Sequence, residues 1–286
     1  MLSYQHEYHA GNFADVHKHL CLRVLFESLG KKDKPLCYID CHAGTGIYDL
    51  GSSESRSTAE AASGIGKLWR QQRNEDSPQF TAYLEAVAAH NADGVLRRYP
   101  GSPALARHWL RQQDRALFLE LHPQAQRPLK QNFRADSRIS VHARDCYEGL
   151  IALIPPPIKR GLVLLDPSYE VKAEYRGIAE LAISAHKRWP TAIYAIWYPL
   201  LAAARHLELL RGLGKAGAGN ILISELTIAA TDQLEGMYGS GMAILNPPWQ
   251  ADAVLAEIMP PLARMLGEGE ADRKSTRLNS SHQIIS

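Results

Sequence analysis

Gly161-Leu-Val-Leu-Leu-Asp-Pro-Ser-Tyr169 is the stretch on which the fold turns. Leu162 to Leu165 form an unbroken apolar run that ends in Asp166. A run without polar alternation reads as a parallel strand buried on both faces, and its last residue sets a carboxylate at the carboxyl edge of the sheet. Ligands of open α/β sheets bind at that edge. Pro167, Ser168 and Tyr169 then make a stiff turn with an aromatic ring beside the acid. The competing reading is an ordinary strand followed by a proline turn, so the neighbouring elements have to decide.

Upstream, Pro35-Leu-Cys-Tyr-Ile-Asp40 reads as a short strand followed by the loop Cys41-His-Ala-Gly44-Thr-Gly46. Glycines at 44 and 46 allow the backbone to approach a ligand closely, as in the first βα turn of nucleotide-binding folds, although a tight turn needs them too. Arg115-Ala-Leu-Phe-Leu-Glu120 is a second strand ending in an acid, the residue type that grips ribose hydroxyls in such folds. It arrives much later than the spacing of about 20 residues expected after the glycine loop, so residues 52–101 read as an insertion. That insertion is helical in pattern. Ser57 with Glu60 suggests a capping box, and Ser77-Pro78 opens a helix carrying Phe80, Tyr83, Leu84 and Val87. Tyr99-Pro-Gly-Ser-Pro103 returns the chain, with Ser102 expected to cap the helix that bears Leu105, Ala106, Trp109 and Leu110. The expectation is a small lid over the carboxyl edge, against the alternative of a passive helical decoration.

Ile139–Ala143 is a third strand, with Arg144, Asp145 and Cys146 at its end. Downstream of the opening stretch come a helix from about 175 to 188, a strand Ala192–Trp197, a helix 200–212, a strand Ile221–Leu226 and a strand Gly241–Leu245. Seven strands alternating largely with helices predict an α/β fold with a mostly parallel sheet. Before all of these, Asn12 caps an expected helix whose Phe13, Val16, Leu20, Val24 and Leu29 recur at helical spacing until Gly30. Lys18 and His19 fall off that apolar stripe and are expected to be solvated.

Composition bounds the remaining choices. The 286 residues are 45% hydrophobic and 22% charged, ordinary for one large domain. No run approaches the roughly 18 apolar residues of a membrane span, and Met1-Leu-Ser-Tyr-Gln-His6 does not resemble a signal peptide, so a cytoplasmic protein is expected. The four cysteines lack paired metal spacing, and reduced thiols with no metal are expected. A net charge of +2 neither requires nor excludes nucleic acid, and the basic pairs Lys31/Lys32, Arg97/Arg98, Lys159/Arg160 and Lys187/Arg188 suit either phosphate contact or solvated surface. One domain over 1–271 is expected. Residues 272–286, polar and without period or caps, are expected to be a disordered or foreign tail.

Asp166-Pro-Ser-Tyr169 is close to the Asp/Asn/Ser-Pro-Pro-Tyr/Phe/Trp signature of methyltransferases that act on exocyclic amino groups, with Ser168 where the signature has proline. Asn246-Pro-Pro-Trp249 fits the signature better, but it follows the last strand and has no cofactor-binding half behind it, so it is read as a strand cap. Together with Met1-Leu-Ser-Tyr4, His6, His9-Ala-Gly-Asn12, Lys18-His19, Asp40-Cys-His-Ala-Gly-Thr-Gly46, Tyr99-Pro-Gly-Ser-Pro103 and Glu120-Leu-His-Pro123, these motifs closely resemble the RlmJ family of bacterial 23S ribosomal RNA adenine-N6 methyltransferases, from residue 1 to about 266. The resemblance implies a Rossmann-like class I fold with an inserted helical subdomain, S-adenosylmethionine as cofactor and 23S ribosomal RNA as partner; a monomer is expected. It also implies that Glu120 holds the cofactor ribose, that Asp145 and Cys146 meet its adenine, and that His19, His42, Gly44 and Ser102 line the rest of its pocket. Asp166 would touch both cofactor and substrate, with the Pro167 carbonyl as a second acceptor and Tyr169 stacking on the base. Tyr4, His6 and Lys18 would lie on the substrate side. The alternatives are the same chemistry on a DNA adenine or a protein glutamine, a catalytically weakened RNA-binding homologue, or a nicotinamide dehydrogenase, the last disfavoured by the lack of a compact G-x-G-x-x-G unit.

Overall fold

The computed structural model describes residues 6–71, 77–215, 220–228, 236–267 and 276–281. The apolar runs become the strands of one sheet: β1 (Cys37–Asp40), β4 (Arg115–Leu119), β5 (Ile139–His142), β6 (Gly161–Leu165), β7 (Ile193–Leu201), β8 (Ile221–Thr227) and β9 (Met237–Leu245). The short β2 (Ile47–Asp49) and β3 (Arg98–Pro100) pair separately as an antiparallel ribbon. In the main sheet the order is β10-β8-β9-β7-β6-β1-β4-β5, where β10 is Thr276–Ser281. β1, β4, β5, β6 and β7 run parallel, and β9 is inserted antiparallel between β7 and β8. The chain leaves β1 toward β4 and β5 on one side and returns to β6 on the other. The carboxyl edge between β1 and β6 is therefore the topological switch point where such sheets bind ligands.

β6 is buried at all five positions, as an unbroken apolar run requires. Leu162 and Leu164 face one core and Val163 and Leu165 the other. The first core packs α1 (Phe13–Gly30), α5 (Pro78–Ala88), α6 (Ser102–Trp109), α7 (Pro123–Phe133) and α11 (Ala251–Leu266) on the sheet. The second packs α8 (Cys146–Leu153), α9 (Glu174–Arg188) and α10 (His206–Lys215). This is the Rossmann-like arrangement expected of the chain.

Several local expectations give way to long-range packing. α1 is not half solvated, because β9, α5 and α11 all press on it. Lys18 is only 4% exposed, and His17 and His19 are buried with it. β7 and β9 extend each other, so β7 continues through Tyr198 and Leu200, where a helix was expected, to Leu201. In the insertion, α2 (Ser53–Thr58) is capped by Ser52, whose hydroxyl accepts from the Ser55 amide at 3.1 Å. The expected Ser57/Glu60 box does not form. Ser57 Oγ donates to the Glu54 carbonyl at 2.7 Å, and Glu60, the first residue of α3 (Glu60–Ser63), turns to His9 and Asn12. α6 is capped by Gly101, which leaves Ser102 as the first helical residue. α4 (Ile65–Gln71) leans on α11 and α5 on α1, so most of the insertion belongs to the core. Within the tail, β10 adds antiparallel to the β8 edge; residues 272–275 and 282–286 lie outside the described residues.

Candidate active site

The end of β6 presents Asp166 with its side chain 13% exposed. Its backbone amide donates to His42 Nδ1 at 3.1 Å, which fixes the ring proton on Nε2. Burial pushes the His42 imidazole down to about 4, so it is neutral. Asp166 Oδ2 accepts from the Lys18 ammonium at 2.5 Å, and among the described residues Oδ1 carries no hydrogen bond. Lys18 donates as well to Asp15 Oδ1 at 2.8 Å, and Asp15 Oδ2 meets His6 Nε2 at 3.0 Å. His6, which lies in a 3-10 turn (His6–Tyr8), is thus joined through Asp15 and Lys18 to Asp166. Burial works against the Lys18 charge, but Asp15 and Asp166 together raise its proton affinity above that of a free lysine. Burial alone would raise Asp15; His6 and Lys18 overcome it and hold the carboxyl well below the usual range. Tyr4, expected beside His6 and Lys18, lies outside the described residues.

Across the switch point, Asp40 ends β1 fully buried, with Tyr38 Oη donating to it at 2.8 Å and the His42 amide at 3.3 Å. Burial raises its carboxyl to about 6, against the opposing hydrogen bonds from Ser102 and Tyr38. The loop that follows takes its path from two left-handed glycines, Gly44 at φ +58° and Gly46 at φ +77°. A Cβ on Gly44 would lie 2.1 Å from Tyr48 Oη. Glu120, just past β4, accepts from the Gly44 amide and the His122 amide, each at 2.7 Å. A carboxylate has about four acceptor positions, so two remain for ligand hydroxyls. At the end of β5, Asp145 caps α8 by accepting from the Tyr147 amide at 2.8 Å, and Cys146 opens that helix, buried. Glu120, Asp145 and Asp166 therefore follow the carboxyl ends of three parallel strands on one edge of the sheet.

His19 also fits a ligand site. Its Nδ1 meets Tyr99 Oη at 2.7 Å, and Tyr99 meets Tyr83 at 2.9 Å, but its Nε2 is buried without a partner. Burial pushes the ring down to about 3, so it stays neutral. A buried unsatisfied nitrogen costs about 1–3 kcal/mol, which a ligand acceptor or donor would recover.

Two expectations need correction. Tyr169 is not an open platform beside the acid: at φ +56° its ring turns inward, 7% exposed, 4.4 Å from the Tyr175 ring, with its hydroxyl donating to the Trp197 carbonyl at 2.6 Å. The Lys18 face of α1 is buried instead of solvated, because Asp15 and Asp166 supply the counter-charges. Asp15 itself was missed. The available signal was an acid in the first turn, three residues before the lysine, where the two share a helix face.

Asn246-Pro-Pro-Trp249 stands apart from all of this. β9 is antiparallel, so its last residue, Leu245, pairs with Tyr194 and Ile221 near the starts of β7 and β8. Asn246 donates to the carbonyls of Pro190 and Ala192, and Trp249 is 86% exposed. The motif lies at the opposite edge of the sheet from Asp166. Among the described residues no cluster of His, Cys, Asp or Glu has the makings of a metal site, and no helix is long and apolar enough to cross a membrane.

A family model described as Ribosomal RNA large subunit methyltransferase D, RlmJ, matches residues 33–277. The chain is 41% identical over 275 residues to Ribosomal RNA large subunit methyltransferase J of Escherichia coli (strain K12), an alignment covering 95% of this chain and 97% of that protein. It is 41% identical over 268 residues to the protein of the same name from Haemophilus influenzae, covering 93% and 94% of the two. Among solved structures, protein LPL1258 of Legionella pneumophila superposes with a TM-score of 0.86 at 34% identity, covering 96% of this chain and 98% of that one.

Proposed function

On the premise that the chain belongs to the RlmJ family of ribosomal RNA large subunit methyltransferases, we propose that it methylates the N6 amino group of one adenine in 23S ribosomal RNA, with S-adenosylmethionine as donor. It is a methyltransferase enzyme. The observation that carries the N6 assignment is Asp166, held at the switch point with one oxygen on Lys18 and the other open.

An adenine amino group is a poor nucleophile because its lone pair is delocalised into the ring. Acceptors placed at its N–H bonds draw electron density back to nitrogen, and they act most strongly when pre-positioned in a partly desolvated site. Asp166 Oδ1 and the Pro167 carbonyl are the acceptors this turn offers. With Oδ2 held by the Lys18 ammonium, Asp166 orients and polarises the amine, whose N–H is too weak an acid to be removed before transfer. Transfer would break the methyl–sulfur bond of the donor, leaving a neutral thioether, and would make the nitrogen cationic; the N–H proton it then sheds would pass by way of Asp166 Oδ1 to solvent. Tyr169, bonded to Trp197 and packed on Tyr175, stiffens the turn that positions both acceptors. Ser168 in place of a proline leaves those three groups intact.

S-adenosylmethionine, when bound, supplies a sulfonium-linked electrophilic methyl group. The residues present suit it. Glu120 would take the ribose hydroxyls, Asp145 and Cys146 the adenine, and Gly44, His42, Ser102 and the orphan His19 Nε2 the remainder. His6 and Lys18 would form the substrate side, and such an enzyme works in the cytoplasm, where ribosomal RNA is. The test is methyl transfer from labelled S-adenosylmethionine by the purified chain to transcribed 23S RNA, DNA and protein, with the product nucleoside identified. N6-methyladenosine at one site in the RNA is expected. Label confined to DNA or to protein glutamine would overturn the proposal.

A further inference from the structure

Asp15 is a buried carboxylate that the reaction just described does not use. It is 2% exposed in the first turn of α1, where its backbone amide already donates to Asn12 Oδ1 at 2.9 Å. Its side chain collects three donors: the Gly11 amide at 2.8 Å, His6 Nε2 at 3.0 Å and Lys18 Nζ at 2.8 Å. The Gly11 contact is local to the start of the helix. The other two are both side chains of the substrate face, and one of them is the cation bound to Asp166.

We propose that Asp15 is a positioning residue for methyl transfer: it neutralises Lys18, so that Asp166 keeps a net negative charge for the substrate amino group. This rests on the function proposed above. Two carboxylates share one ammonium in a site from which water is largely excluded, so the charge of Lys18 is divided between them. Without the charge of Asp15, the ammonium would have Asp166 as its sole counter-ion and would close on it. A neutral Lys18–Asp166 pair is a weaker acceptor for the amine N–H than a carboxylate whose cation is already balanced. Asp15 then acts on the amine only through Lys18, across a chain of contacts that spans 148 residues of sequence between Lys18 and Asp166.

Asp15→Asn keeps the size and an acceptor oxygen while removing the charge. It is compared with Lys18→Met, with the double variant, and with Asn12→Ala, which removes the cap of α1 and leaves the charged chain in place. For Asp15→Asn the proposal expects kcat on 23S RNA to fall by about tenfold or more, with melting temperature and S-adenosylhomocysteine affinity near wild type. The double variant should be no slower than Lys18→Met alone, because the two residues act as one unit. Asn12→Ala should melt lower yet turn over normally once folded. Wild-type kcat in Asp15→Asn, a fall matched by lost stability as in Asn12→Ala, or losses that multiply in the double variant would each overturn the proposal. A wild-type protein that leaves 23S RNA unmethylated would sink the proposed function instead. The charge coupling then still has its own reading: the Lys18 ammonium resonance, followed by nitrogen NMR, should lose its proton at lower pH in Asp15→Asn, and an unchanged titration rejects the role of Asp15.

Discussion

Asp166 and Asn246 both precede a proline-containing turn after a strand, and the direction of that strand separates them. β6 runs parallel to β1 and delivers Asp166 to the edge that carries the glycine loop, whereas β9 runs the other way and delivers Asn246 to Pro190 and Ala192. Asp166→Ala should therefore lower kcat by roughly a hundredfold or more, while Asn246→Ala keeps near-normal transfer in folded protein. Steady-state kinetics on both variants checks this, and loss of transfer in folded Asn246→Ala would move the chemistry to the other edge. Glu120 is the second residue whose role can be isolated. With its carboxylate bonded to the Gly44 and His122 amides, Glu120→Ala removes both the hydroxyl acceptor and the brace of the loop. Affinity for S-adenosylhomocysteine should drop by about 1.5–3 kcal/mol, measured by calorimetry; equal affinity would reject the assignment.

At the scale of elements, α1 does more than cover the sheet. Its first two turns supply Asp15 and Lys18. Beside Lys18, His17 lies between Ser240 Oγ at 2.9 Å and Ser224 Oγ at 3.1 Å, tying the helix to the two antiparallel-paired strands β8 and β9. Its start is set by Gly11 at φ +79°, where an added Cβ would come within 2.8 Å of Ile65 Cγ2 on α4. Gly11→Ala should consequently cost about 1–3 kcal/mol, because it combines a left-handed backbone with a clash against another element. The expected result is a lower melting temperature, and an unchanged one would mean that α1 and α4 can separate freely. The position of α1 was legible in the sequence from Asn12 and the apolar spacing. The burial of its polar face was not, since α5, α11 and β9 reach it from distant parts of the chain.

At the scale of the molecule, the buried polar groups set how the fold responds to acid. Burial lowers His17 and His19 to about 3 and His42 to about 4, from 6.5 when unfolded. As pH falls through 6.5 the unfolded chain takes up protons at these three rings that the folded chain refuses, so their contribution to stability is lost toward pH 4. Asp40 has the opposite sign, because its carboxyl at about 6, against 3.8 when unfolded, binds a proton earlier in the folded state. Three groups outweigh one. The melting temperature should therefore fall steadily as pH is lowered from about 6.5 to about 4. A flat or rising curve in scanning calorimetry would show that the three rings titrate freely in the folded protein.

The sequence by itself determined the seven strands and their order along the chain, the start of α1, and the acids that close β1, β4 and β6. These features are written in local periodicity, caps and strand-ending residues, which need no distant partner. Tertiary structure alone decided that the second proline motif falls on the far edge, because edge depends on whether a strand runs parallel or antiparallel to its neighbours. It decided that Tyr169 turns inward, since Tyr175 and the Trp197 carbonyl are supplied by other elements. It also decided that Lys18 is a buried, twice-paired cation. A lysine on a helix is solvated unless counter-charges are brought to it, and one of the two carboxylates here, Asp166, comes from the end of a strand 148 residues further along the chain.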